Sequence, residues 1–120
     1  MAMENSGKQL ALDIAQNCAS LHISEDIYLR ILGKAIEQTK RDIVDLEAAI
    51  PIDDFEKICA IAHRLKGDYD NMRIVELSVQ AKEINEVAKA SKDKDQLSRL
   101  VSGFSGLFEQ LINRITKRST

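Results

Sequence analysis

The stretch that decides the fold is Asp53–Met72, DDFEKICAIAHRLKGDYDNM. Its apolar residues Phe55, Ile58, Ala62, Leu65, Tyr69 and Met72 are spaced three, four, three, four and three apart. That is the period of one buried helix face. His63 is off that stripe. Each helical residue turns the chain by about 100°, so His63 lies on a different face from Ala62 and Leu65. Its neighbours there are Cys59 and Ala60 before it and Lys66, Gly67 and Asp70 after it. The spacing predicts an amphipathic helix with a histidine on its outer side, a lysine one turn on, and a glycine that clears space beside the ring.

Working outward, the flanking segments carry the same period. Ser24 is a good N-cap, with Glu25 and Asp26 in the favourable first turn. The stripe Tyr28, Ile31, Leu32, Ala35, Ile36, Thr39, Ile43, Leu46 and Ile50 predicts a long helix that Pro51 ends. Asp53 or Asp54 is expected to cap the histidine helix. A further helix is expected over Ile74–Lys89, with Ile74, Leu77, Ser78, Ala81, Ile84 and Ala88 inward. A last long one is expected over Asp95–Thr116, with Leu97, Leu100, Val101, Phe104, Leu107, Phe108, Leu111 and Ile115 inward. Gly103 and Gly106 in that helix suggest close approach of a neighbour. Leu10, Ile14 and Cys18 predict a short helix over Lys8–Ala19. The fold class is all-α: an antiparallel up-and-down four-helix bundle with a short extra N-terminal helix. Residues 1–6 are expected to be disordered and 7–118 to form the one domain.

Composition agrees and excludes several classes. A chain of 120 residues with 44% hydrophobic and 30% charged residues is an ordinary soluble domain. Five glycines, one proline and no Asn-Gly or Asp-Gly turn disfavour a β-rich fold. A net charge of −2 and a pI near 5.7 lack the basic excess that nucleic-acid binding needs. No apolar run approaches the roughly 20 residues that span a bilayer, so no membrane partner is expected. Met1–Lys8 carries no apolar signal segment. Cys18 and Cys59 match no zinc or disulfide pattern, which fits a reducing, cytoplasmic setting.

His63-Arg64-Leu65-Lys66-Gly67 resembles the His-x-Leu-Lys-Gly signature of histidine-containing phosphotransfer (HPt) domains. The resemblance extends over about residues 10–115. It takes in the long helix before the motif, the Asn71-Met72 segment after it and the amphipathic helix beyond. It implies a phosphoryl carrier without kinase activity of its own, which accepts a phosphoryl group on His63 from a receiver-domain phospho-aspartate and passes it to another receiver aspartate. The implied partners are response-regulator receiver domains and a hybrid sensor kinase. The carrier is expected to be a monomer and to bind no cofactor or metal, with Mg²⁺ coming from the receiver. The chain has neither a Gly-x-x-x-x-Gly-Lys nor a Gly-x-Gly-x-x-Gly loop. Two positions depart from the family pattern. Asp68 stands where a small residue is usual, and Arg73 where glycine is usual, so that the helix end is expected to be closed by Asn71 in the left-handed conformation.

The chemistry can be stated on its own. A phosphoryl acceptor at neutral pH must be nucleophilic and able to release its cargo, and an imidazole with an ordinary pKa near 6.5 is both. Lys66, one turn on, offers a point charge for phosphoryl oxygens. Gly67 removes a side chain that would crowd the ring. Phosphoryl transfer is mostly positioning and electrostatics. Glu56, Cys59, Ala60, Arg64 and Asp70 are the expected partner-docking residues. A hydrogen-bond partner for the other ring nitrogen is expected but has no sequence signal. The bland readings are a solvated surface histidine and lysine. A Cys59–His63 zinc site lacks further ligands, and a Cys-His nucleophile pair lacks an orienting group. The alternative function is a non-phosphorylated helical adaptor that binds a receiver domain or signalling kinase through the same face.

Overall fold

The structure, a computed structural model, describes residues 9–119. The expectation of disorder over residues 1–6 lies outside the described residues. Among the described residues there are five helices and no strand: α1 Ile14–Leu21, α2 Glu25–Ala49, α3 Phe55–Asn71, α4 Val75–Lys89 and α5 Lys94–Ser119. α3 packs on α4, α4 on α5, and α2 on both α3 and α5, while α1 lies on α2. The inward stripes meet in one core. Tyr28, Leu32, Leu46, Ile58, Leu65, Tyr69, Leu77, Ile84, Leu97 and Phe104 are almost fully buried there.

The helix ends follow from named side chains. Ser24 accepts a hydrogen bond from the Ile27 N–H and starts α2. Asp54, not Asp53, caps α3 by accepting from the Lys57 N–H. Asp53 instead takes a positive φ of 60° in the turn after Pro51. α1 is shorter than expected. Asp13 caps it, accepting from the Gln16 N–H, so the helix begins at Ile14. Leu10 keeps its core position (1% exposed) outside any helix. Its backbone is pinned instead, the N–H donating to Gln110 Oε1 (2.9 Å) and the carbonyl accepting from Arg114 (2.8 Å).

Three further expectations are corrected. Asn71 does not close α3 in the left-handed conformation. Arg73 does, with φ 63°, and its guanidinium group is tied to Ser20 Oγ (3.2 Å) and the Asp70 carbonyl (3.3 Å). Position 73 therefore keeps the conformation that suits glycine although an arginine occupies it. Ile31 is 47% exposed, because it sits at the edge of its stripe. Of the two α5 glycines only Gly103 marks a close approach: a Cβ there would stand 2.9 Å from Gln80 Nε2, whereas one on Gly106 would meet nothing within 4 Å.

The buried hydroxyls are paired, as burial demands. Tyr28 donates to the Met72 carbonyl (2.7 Å). Thr39 lies 2.7 Å from the Tyr69 hydroxyl and donates to the Ala35 carbonyl, so Tyr69 is the donor to Thr39. Burial pushes the Tyr69 hydroxyl up to about 12. These contacts fix the C-terminal end of α3 against α2.

Candidate functional site

α3 is buried along Ile58, Ile61, Ala62, Leu65 and Tyr69. With that stripe inside, Glu56, Ala60, His63, Gly67 and Asp70 are exposed, and Cys59 and Lys66 are half-buried along the edge toward α4. The predicted site residues therefore come together on one side of one helix. Arg64 is the exception. Its guanidinium group turns toward α2 and pairs with Asp42, at 3.0 Å from Nη1 to Oδ2 and 2.8 Å from Nη2 to Oδ1. The Asp42 side chain is 1% exposed and also accepts from Gln38 Nε2 (3.1 Å). The hydrogen bond to Asp42 raises the Arg64 pKa. The pair ties α3 to α2 directly beside His63.

Two contacts set the register of α3 on α4. The Cys59 thiol points at the Asn85 carbonyl (3.9 Å). Seven residues on, the Ser78 hydroxyl reaches the Lys66 carbonyl (3.3 Å) and Asp70 Oδ1 (2.6 Å). His63 falls between these two anchors, on the same edge. Its ring makes no hydrogen bond or ion pair within the chain among the described residues. Side chains on a helix lean toward its N-terminus. The contacts run in opposite order along the two helices. Asn85 is 9% exposed, and its Oδ1 is a buried oxygen with no partner. An asparagine on an inward-facing edge has no periodic signal, so nothing in the sequence singles it out. Only the orphaned acceptor reveals it.

Lys66 Nζ pairs with Asp70 Oδ2 at 3.0 Å. The Asp70 carboxyl is held below the usual carboxylate range, first by the Ser78 hydrogen bond and then by Lys66. Gly67 is open: a Cβ built there meets nothing within 4 Å. The fold itself does not require glycine there, and in a helix it costs about 1 kcal/mol relative to Ala. Asp68 is half-buried toward α2, and burial raises its carboxyl pKa against the pull of Arg64.

A groove of about 330 Å³ between α2 and α3 brings Ile31, Lys34 and Gln38 beside Asp68 and Asn71. A second, of about 460 Å³, runs between the N-terminal end of α3 and the C-terminal end of α4, with Phe55, Glu56, Cys59 and Lys92 on its walls. A third groove, of about 520 Å³, is lined by Glu47, Pro51, Lys94, Asp95 and Ser98 and contains none of the predicted site residues. His63 lines none of these three and is exposed to solvent. Among the described residues no three His, Cys, Asp or Glu side chains cluster to hold a metal, and no helix is long and apolar enough to cross a membrane.

The family model for the Hpt domain matches residues 30–117, which takes in most of α2 and all of α3 and α4. Comparison with curated proteins and with solved structures gives no match. The match covers well over half of the chain and includes His63, Lys66 and Gly67. The chain therefore belongs to the Hpt domain family, which serves histidine phosphotransfer relays and interacts with the receiver domains of response regulators.

Proposed function

We propose that this chain carries a phosphoryl group on His63 from the phospho-aspartate of one receiver domain to the aspartate of another. The observation that carries the reading is the exposed, unpaired His63 on α3, flanked by Lys66 and the open Gly67 within the family match. In the accepting step one ring nitrogen of neutral His63 uses its lone pair to form an N–P bond. The P–O bond to the donor aspartate breaks, and its electron pair returns to the carboxylate. The other ring nitrogen keeps its proton. Passing the group on reverses these events. The chain lacks a nucleotide-binding loop and performs no kinase reaction. The Mg²⁺ that such a transfer uses is the receiver's, and this chain binds no cofactor.

The four long helices, α2 to α5, are read as an antiparallel up-and-down bundle, with α1 as the short extra helix. The docking face is centred on Glu56, Cys59, Ala60, His63, Gly67 and Asp70. The α2–α3 groove and exposed Ile31 extend it on one side. Arg64 supports this face through Asp42 rather than standing free. The upstream partner is a hybrid sensor kinase, the chain works as a cytoplasmic monomer, and neither nucleic acid nor membrane is a partner.

The test is incubation with a phosphorylated receiver and Mg²⁺, followed by assay for an acid-labile, base-stable adduct. The parent is expected to label and His63→Gln to stay unlabelled. If the parent binds the receiver but never labels, the chain is an adaptor and the carrier reading is wrong.

A further inference from the structure

The geometry points to Asp70 as a positioning residue that holds the Lys66 ammonium away from His63 until a phosphoryl group arrives, so that Asp70 sets the lifetime of the phosphohistidine. The inference rests on the reading of His63 as the acceptor. Lys66 stands between two anionic claims on its charge. Asp70 lies four residues on, about 6 Å along the axis, and His63 three residues back, about 4.5 Å along it. In the free chain the ammonium is on the Asp70 side, at 3.0 Å from Oδ2.

Most exposed i,i+4 pairs only decorate a helix. This one differs because its carboxylate is anchored from another helix. The Ser78 hydroxyl, on buried Ser78 of α4, reaches Asp70 Oδ1 at 2.6 Å and the carbonyl of Lys66 itself at 3.3 Å. The hydroxyl has one proton, and the shorter contact gives it to the acid, so Asp70 is tied to α4 beside the backbone of Lys66. An exposed aspartate is ionised at neutral pH, and the Ser78 hydrogen bond and then Lys66 hold its pKa lower still, so the charge that competes for Lys66 is present.

The pair is also built to let go. Both side chains are partly exposed, at 37% and 51%. A base N-terminal to its acid is the weaker of the two helical orders. The Cα–Cβ bond of Lys66 leans toward the N-terminus, and so toward His63. When the N–P bond forms, the phosphoryl oxygens bring more negative charge than a single carboxylate. Lys66 then swings to them, and Asp70 keeps Ser78.

The experiment loads His63 with phosphoramidate, which needs no receiver. The histidine nitrogen attacks phosphorus, the P–N bond of the reagent breaks, and ammonia leaves. Hydrolysis of the phosphohistidine is then followed by phosphorus NMR. Asp70→Asn keeps an oxygen for Ser78 but no charge for Lys66. It is expected to lengthen the phosphohistidine lifetime roughly two- to five-fold, the range an exposed ion pair supplies. Asp70→Ala should act in the same direction. In a Lys66→Met background the Asp70→Asn effect should vanish. Equal lifetimes in the parent and Asp70→Asn would overturn the inference, and so would an effect that persists without Lys66. If the loaded protein shows the expected change but no receiver exchanges phosphoryl groups with it, the inference stands and the relay reading fails.

Discussion

The guanidinium group of Arg64 lies in a two-pronged contact with the carboxylate of Asp42, so the residue next to His63 in sequence is committed to joining α3 to α2. Asp42 is 1% exposed and Arg64 43%. Removing the arginine leaves a buried carboxylate with the Gln38 amide and no cation. Arg64→Ala is expected to lower stability by about 2 kcal/mol, below the 3–5 of a fully buried pair because one partner reaches water. Urea denaturation midpoints check this. An unchanged midpoint would mean that Arg64 is a free surface cation.

Gly67 and Gly103 separate function from packing. A Cβ at Gly67 meets nothing, and alanine is the better helix former by about 1 kcal/mol. Gly67→Ala is therefore expected to hold or raise the melting temperature while slowing phosphoryl transfer from a receiver. Gly103→Ala is expected to lower it, because its Cβ presses on Gln80 Nε2, which donates to the Leu100 carbonyl. A transfer rate unaffected by Gly67→Ala would remove the steric-clearance role.

Arg73 occupies a left-handed position at φ 63° and offsets the strain with contacts to Ser20 and the Asp70 carbonyl. Arg73→Ala keeps the strain and loses the contacts, whereas Arg73→Gly loses both. The glycine variant should be the more stable of the two by about 1 kcal/mol. Thermal or urea unfolding of the pair decides it, and equal stability would argue that the strain is absent.

Asp68 and Asp70 titrate in opposite senses. The Asp70 carboxyl is lowered, so its contribution to stability is present above the ordinary carboxylate pKa near 3.9 and is lost as pH falls through its folded value. The Asp68 carboxyl is raised, chiefly by burial, so its contribution is present below the ordinary value and lost as pH rises through the folded one. At neutral pH Asp68→Asn should raise the urea midpoint and Asp70→Asn should lower it. Both differences should shrink once the carboxyls are protonated. The same sign for both variants at pH 7 would contradict the assignment.

The helix count and the buried stripes were legible because periodicity is repeated in every segment: Ile58, Leu65 and Tyr69 or Leu97, Phe104 and Leu111 can be read off by spacing. The motif residues were legible for the same reason, since a helix turns spacing into a face. Polar partnerships across helices were not. Asp42 looks like one more surface charge on α2 until Arg64 is seen beside it. The Ser78–Asp70 contact and the orphaned Asn85 oxygen depend on the register of α3 against α4, which no single stripe specifies. Leu10 shows the converse limit. It satisfies the helical spacing with Ile14 and is buried, yet Asp13 starts the helix after it.

The most direct measurement is site mapping of the phosphoryl group. The chain is incubated with a phosphorylated receiver and Mg²⁺, digested at neutral pH, and fragmented in a mass spectrometer. The account predicts one phosphoryl group, on the His63 ring, and none on His63→Gln. A phosphoryl group on the chain's other histidine, His22, or elsewhere, or equal labelling of His63→Gln, would contradict it.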